Sequence, residues 1–204
     1  MARVILIRHG ETAWNAERRT QGWHDESLNE RGMQQARRMG AFVREQFDLS
    51  TVWASDLRRC VQTAEQIGLP VQTSRALREL NYGEWEGRSW EKLSEQEREL
   101  TARLIAGDRS FRAPGGELVG DLADRVRGFV DAAGLADTAG DVAVVGHGGS
   151  LRALIVAMLE LPFDAFGRFA FSNASVSVVT TGRGAARLYS LNHTAHLNGV
   201  LPLH

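Results

Sequence analysis

Arg3-Val4-Ile5-Leu6-Ile7-Arg8-His9-Gly10-Glu11-Thr12 sets a run of β-branched and aliphatic residues directly against a charged, glycine-containing turn. A short, continuously apolar run bounded in this way reads as a strand buried on both faces, the pattern of a parallel sheet. Asp141-Val142-Ala143-Val144-Val145, followed by Gly146-His147-Gly148-Gly149, repeats the arrangement. In both segments the strand carries a histidine to its carboxyl end, beside glycines that let backbone approach a ligand closely. Open α/β sheets collect ligands outside the carboxyl ends of their strands, so His9 and His147 mark one candidate site.

Between these strands the period changes from continuous to helical. Residues 30–46 place Met33, Ala36, Met39, Phe42 and Val43 on one stripe, and residues 56–67 do the same with Leu57, Cys60, Val61, Ala64 and Ile67. A strand at 51–55 separates the two predicted helices. Further helices are expected at 89–104, 117–133 and 149–160, and strands at 175–181 and 185–191 flank a Gly182-Arg183-Gly184 turn. The strand–helix alternation predicts an α/β fold. We expect a three-layer α/β/α sandwich with a mostly parallel, mixed sheet containing an antiparallel strand, plus a small helical insertion. A chain of 204 residues suits a single domain over 1–204, with a lid-like insertion at about 85–115 that returns through the irregular stretch from Gly107 to Gly116.

Charge excludes several classes of partner. Lys and Arg total 24 against 25 for Asp and Glu, a formal net charge of −1, which leaves no global field to attract nucleic acid or an anionic membrane. Anion recognition must therefore be local. Cys60 is the only cysteine, which rules out an intramolecular disulfide, suits a reducing compartment, and is expected to be a buried, inert thiol. Val4 to Ile7 is too short for a secretory or membrane-spanning segment, so no membrane partner is expected and a cytoplasmic location follows by default. His193 and His196 are closely spaced but have no Cys, Asp or Glu at ligand spacing, and no metal or cofactor is expected.

The chain resembles the histidine phosphatase superfamily, in its phosphoglycerate-mutase-like branch, over nearly its full length. The resemblance is carried by Leu6-Ile7-Arg8-His9-Gly10-Glu11-Thr12-Ala13-Trp14-Asn15, Gln21-Gly22-Trp23, Leu28-Asn29-Glu30-Arg31-Gly32, Ser55-Asp56-Leu57-Arg58-Arg59 with Thr63-Ala64, Leu77-Arg78-Glu79-Leu80-Asn81-Tyr82-Gly83-Glu84-Trp85-Glu86-Gly87, Pro114-Gly115-Gly116-Glu117 and Gly146-His147-Gly148-Gly149. It implies a metal-independent phosphatase of small phosphomonoesters, with a small phosphorylated metabolite as its partner. His9 would be the nucleophile, Glu79 the proton donor and acceptor, and Arg8, Arg58 and His147 the donors around the phosphoryl group. Asn15, Gln21, Gly22 and Tyr82 match substrate-contacting positions, and Gly10 and Gly148 flank the two histidines. Arg59 is expected on the solvated side of its helix. Glu11 and Glu84 are second choices as acids, with Glu11 expected to order its turn.

Each implied role has a chemical reason. The oxygens of a phosphomonoester repel a nucleophile, so the site needs cations around the phosphoryl group, a nucleophile aimed at phosphorus and a proton for the leaving oxygen. A phosphoglycerate mutase that uses the same phosphohistidine chemistry is the alternative. Relatives of that kind carry a longer stretch after Tyr82 with additional arginines, whereas here Arg88, Arg98, Arg103, Arg109 and Arg112 are scattered through a mixed-charge region, which favours hydrolysis. Trp14, Trp23 and Trp85 are expected near the pocket mouth, at least one of them against the leaving group. The aromatic stretch 163–172 is expected to shape the specificity pocket or to form a homodimer surface.

Overall fold

Ala2–Arg8 forms β1, Asp141–Gly146 β4, and the two pair in parallel with Ile5 opposite Ala143 and Arg8 opposite Gly146. The computed structural model describes residues 2–89, 92, 94–182 and 185–198, with backbone alone at 96–98. Its six strands include β2 (Leu49–Ser55), β3 (Val71–Ser74), β5 (Val176–Thr181) and β6 (Arg187–His193), and they lie in the order β3-β2-β4-β1-β5-β6. The four from β3 to β1 are parallel, and β5 runs antiparallel to both β1 and β6. The mixed α/β sheet expected from the sequence is present.

Among the described residues, six α-helices accompany the sheet: α1 (Ala13–Ala16), α2 (Glu30–Gln46), α3 (Arg58–Glu65), α4 (Glu95–Ile105), α5 (Val119–Ala132) and α6 (Gly148–Met158). Strand pleating distributes side chains alternately between two faces. Val4 and Leu6 therefore join Val142 and Val144 beneath α5 and α6, while Ile5 and Ile7 join Ala143 and Val145 beneath α2 and α3. Both faces of the central strands are covered by helices, hence the continuous apolar runs. Each of the buried Val, Leu and Ile side chains among these contributes about 1.5–3 kcal/mol of transfer free energy.

Local chemistry sets the helix boundaries. Asn29 caps α2 by accepting from Gly32 N at 2.7 Å, and Glu30 and Arg44 complement the helix dipole at its two ends. Gly32 also lets α2 approach the turn after β1, because a Cβ there would stand 1.9 Å from the carbonyl oxygen of Glu11. The turn after β1, which carries His9, is thereby seated on the first turn of a long helix.

Strand β3 is absent from the sequence-based expectation. It has four residues, of which only Val71 and Thr73 favour strands, and it occupies an edge where little burial patterns the sequence. The helix expected over 89–104 is described from Glu95, while residues 90, 91 and 93 lie outside the described residues, as do Arg183 and Gly184 of the expected hairpin turn. In the aromatic stretch, Phe166 and Phe171 are buried and join the α5/α6 core. Among the described residues no helix is long and apolar enough to cross a membrane.

Candidate active site

A cavity of about 270 Å³ opens at the carboxyl ends of β1 and β4. It is lined by His9 and His147, by Glu79, and by four guanidinium groups, those of Arg8, Arg19, Arg59 and Arg152, with Asn15, Gln21, Gly22, Tyr82 and Gly148 among the remaining walls. Glu79 is the one carboxylate among the lining residues.

The two histidines have complementary tautomers. His9 Nδ1 lies 2.7 Å from the carbonyl oxygen of Gly10, which can only accept, so Nδ1 carries the proton and Nε2 keeps its lone pair. At His147, Arg59 Nε donates to Nδ1 at 3.2 Å, which leaves the proton of the neutral ring on Nε2. The rings meet edge to face with centroids 5.2 Å apart. Both are buried, at 3 % and 1 % exposure. Desolvation, reinforced by Arg59 and Arg8 around His9 and by Arg59 and His9 around His147, holds both well below the ordinary histidine range. One neutral ring thus offers a nucleophilic nitrogen and the other an N–H.

The backbone at His9 is fastened from two sides. Asn173 Nδ2 donates to the carbonyls of His9 and Gly10 at 3.1 and 3.3 Å and to Asn15 Oδ1 at 3.1 Å. Thr63 Oγ1 accepts from Gly10 N at 3.1 Å. Arg8 Nη1 donates to the carbonyl of Phe171 at 2.5 Å, and desolvation lowers the pKa of its guanidinium. Arg8 Nε is buried without a hydrogen-bond partner among the described residues.

Glu79 is held by backbone amides. Its Oε2 accepts from Gly149 N at 2.9 Å and its Oε1 from Leu80 N at 2.9 Å. A Cβ on Gly149 would stand 2.1 Å from Oε1, so only glycine there admits the carboxylate. Trp23 Nε1 and Arg125 Nη2 both donate to the Glu79 carbonyl, at 2.7 and 2.8 Å. Arg125 also binds the carbonyls of Ala76 and Arg78 and pairs with Glu117, whose Oε2 accepts from Asn81 N. The Pro114-Gly115-Gly116-Glu117 motif therefore fastens the segment that carries Glu79. Arg78 and Asp56 are joined by two bonds of 2.7 Å, which lock that segment to the start of α3.

Two sequence expectations are corrected by position. Arg58 was expected to grip the phosphoryl group, but its side chain is 63 % exposed, does not line the cavity, and is occupied by Asp25 through Nε at 3.0 Å and Nη2 at 2.5 Å. Arg59, expected in solvent, is fully buried and bridges His147, the Gly22 carbonyl and the His24 carbonyl. Successive helical residues point about 100° apart, and the face of α3 that turns inward is that of Arg59, Cys60, Thr63 and Ala64. Gly10 does not line the cavity either; its lack of a side chain serves packing, since a Cβ would meet Gly32 O at 2.5 Å. Asn15, Gln21, Gly22, Tyr82 and Gly148 do line it.

The tryptophans flank the cavity without entering its walls. Trp85 is buried against Phe111, Trp23 holds Glu79, and Trp14 is stacked between His24 at 4.1 Å and the Arg19 guanidinium at 4.6 Å. Glu11 accepts from Asn29 and orders the turn, and Glu84 is exposed away from the cavity. Cys60 lies beneath His147, Sγ 3.3 Å from Nε2, and burial pushes its thiol up to about 12, which keeps it protonated. Arg152 and Arg19 were missed. Arg152 follows Gly148 by four residues on a helix and so shares its face, a signal that the spacing contained.

A family model described as histidine phosphatase superfamily (branch 1) matches residues 4–194. The chain is 40 % identical over 183 residues to a protein of Erwinia tasmaniensis named "Probable phosphoglycerate mutase GpmB", covering 88 % of this chain and 85 % of the relative. Among solved structures, a mycobacterial glucosyl-3-phosphoglycerate phosphatase superposes with TM-score 0.83 at 29 % identity, over 94 % of this chain and 99 % of that one. A phosphoserine phosphatase from Entamoeba histolytica, solved with phosphoserine, superposes with TM-score 0.83 at 26 % identity, over 97 % of this chain and 100 % of that one. With its paired strand-end histidines and its match across almost the whole sequence, the chain belongs to branch 1 of the histidine phosphatase superfamily and is an enzyme of the phosphatase or mutase type.

Proposed function

We propose that the protein is a phosphatase of small phosphomonoesters that works through a phosphohistidine on Nε2 of His9. The observation that carries this is the Nδ1–H···O=C bond from His9 to Gly10, which points the basic nitrogen of a neutral, buried imidazole at a cavity rich in guanidinium groups. His9 Nε2 attacks phosphorus, an N–P bond forms and the ester P–O bond breaks. Protonated Glu79 passes its proton to the departing alkoxide. The resulting carboxylate then takes a proton from water, the hydroxide attacks phosphorus, and cleavage of the N–P bond returns neutral His9, inorganic phosphate and protonated Glu79.

Arg8 and Arg59 supply the positive charge that the phosphoryl oxygens require, in forks suited to paired oxygens. The His147 Nε2–H faces only the weakly accepting sulfur of Cys60, a partner that a phosphoryl oxygen outcompetes. No metal or other cofactor is needed for these steps.

Mutase chemistry is the second reading, favoured by the relatives named phosphoglycerate mutase. Hydrolysis is preferred because the segment after Tyr82 sends no described arginine into the cavity. Arg103 is paired with Asp108 and Arg109 with Asp124, both on the outside. The test is an assay of purified protein on a panel of phosphomonoesters, including 3-phosphoglycerate with and without 2,3-bisphosphoglycerate, in the presence of chelator. Phosphate release is expected; isomerisation without release would overturn hydrolysis. His9→Ala should abolish turnover and an acid-labile phosphoryl adduct seen by intact mass, and persistence of either excludes His9 as nucleophile.

A further inference from the structure

The peptide between Gly22 and Trp23 is held between two opposite charges. Its carbonyl oxygen accepts from Arg59 Nη2 at 2.8 Å, and its N–H donates to Glu86 Oε1 at 2.7 Å. A trans peptide points these two groups in opposite directions, so the guanidinium and the carboxylate stand on either side of one planar unit. His24 repeats the arrangement. Its carbonyl accepts from Arg59 Nη1 at 2.7 Å, and its N–H, shared with the Gln21 carbonyl, donates to Glu86 Oε2 at 2.9 Å. Glu86 Oε1 also accepts from Tyr82 N at 3.2 Å, which ties this loop to the segment that carries Glu79. Gly22 has a φ of +54°, and a Cβ there would stand 2.0 Å from Glu86 Oε1, so glycine is what admits the carboxylate. Glu86 itself does not line the cavity.

We propose that Glu86 is a positioning residue for Arg59: acting through the backbone of Gly22, Trp23 and His24, it holds the guanidinium against His147 Nδ1 and towards the cavity. This rests on the reading of that cavity as a phosphoryl site. Arg59 donates to two carbonyls and a ring nitrogen, all of them neutral. A carboxylate bonded directly to the guanidinium would neutralise the charge that phosphoryl oxygens need. One bonded through a peptide fixes the orientation and leaves the charge available. The ionised acceptor also polarises the chain, because hydrogen bonds in series strengthen one another, and the Gly22 carbonyl becomes a better acceptor for Arg59. Desolvation lowers the pKa of the buried Arg59 guanidinium, and Glu86 is one of the charges that oppose this.

Two measurements that need no turnover test this. Glu86→Gln keeps the shape of the side chain but removes its charge and sets an amide nitrogen against a backbone N–H. In ring-nitrogen NMR, the His147 Nδ1 signal should move towards that of an unprotonated nitrogen without a donor, in the same direction as in Arg59→Gln; loss of packing alone would not move it so. Calorimetry with inorganic phosphate should show binding weakened about tenfold by Glu86→Gln in the wild-type background and less than about twofold in the Arg59→Gln background. Gly22→Ala, which displaces the same carboxylate with Glu86 intact, should reproduce both results and serves if Glu86→Gln does not fold. An unmoved His147 signal, or equal losses of phosphate affinity in the two backgrounds, would overturn the proposal. Wild-type protein that binds no phosphate would overturn the phosphatase reading, and the ring signal alone would then decide the role of Glu86.

Discussion

Arg59 Nε donates to His147 Nδ1 across 3.2 Å, and through this bond a helix between β2 and β3 sets the tautomer of a histidine at the end of β4. The same guanidinium reaches the carbonyls of Gly22 and His24 with its other nitrogens. Arg59 therefore organises three segments that are distant in sequence, and it lines the cavity that also holds His9 and Glu79.

Substitutions at the two adjacent arginines should have opposite consequences. Arg59→Gln is expected to lower kcat/KM by about 100-fold to 1,000-fold, the usual cost of removing a preorganised donor at a developing charge. It should also destabilise the fold by about 1–3 kcal/mol, because the Gly22 and His24 carbonyls lose their partner. Arg58→Ala removes an exposed pair with Asp25 and should change kcat/KM less than threefold and stability by less than about 1 kcal/mol. Steady-state kinetics and urea titrations of both variants decide the matter; a larger catalytic loss at Arg58 would reverse the assignment.

Gly149 provides a probe of Glu79 that leaves the carboxylate itself in place. A methyl group at 149 would stand 2.1 Å from Oε1, so Gly149→Ala must displace the carboxyl group from its position over the cavity. A loss of about 100-fold in kcat is expected, the scale of general acid–base catalysis, with thermal stability little changed. Gly128→Ala is the matched control. Gly128 lies inside α5 with nothing within 4 Å of a new Cβ, so it should gain roughly 0.5–1 kcal/mol and keep full activity. If Gly149→Ala retained full kcat, the bound position of Glu79 would not be the one that transfers protons.

Two buried, neutral histidines make stability depend on acid. His9 and His147 are both depressed below the ordinary value of 6.5, so at neutral pH neither state of the chain is protonated there. As pH falls through about 6.5 the unfolded chain takes up protons that the native state refuses, and stability declines, by up to about 1.4 kcal/mol per pH unit for each group. Above pH 7.5 these groups should contribute no slope. Urea unfolding at pH 7.5, 6.5 and 5.5 would measure the decline, and His147→Gln should remove a substantial part of it. An unchanged slope in that variant would show that His147 titrates normally in the native protein.

The sequence by itself determined the strands that end in His9 and His147, the long helix from Glu30, and the motif that carries Glu79. These are written in local patterns: continuous apolar runs for strands covered on both sides, a helical stripe ended by Asn29, and glycines beside functional side chains. Which arginines face the cavity was decided only by tertiary structure. The stripe visible in residues 56–67 includes Val61, which is half-buried, and omits Arg59 and Thr63, which are buried. A buried arginine is indistinguishable in sequence from a solvated one, because its burial is compensated by carbonyls and a ring nitrogen contributed by distant segments. The same holds for Arg152, whose helical phase was legible but whose surroundings were not. Packing of α3 and α6 against the sheet turned adjacent or isolated cations into a site, and chose Arg59 over Arg58.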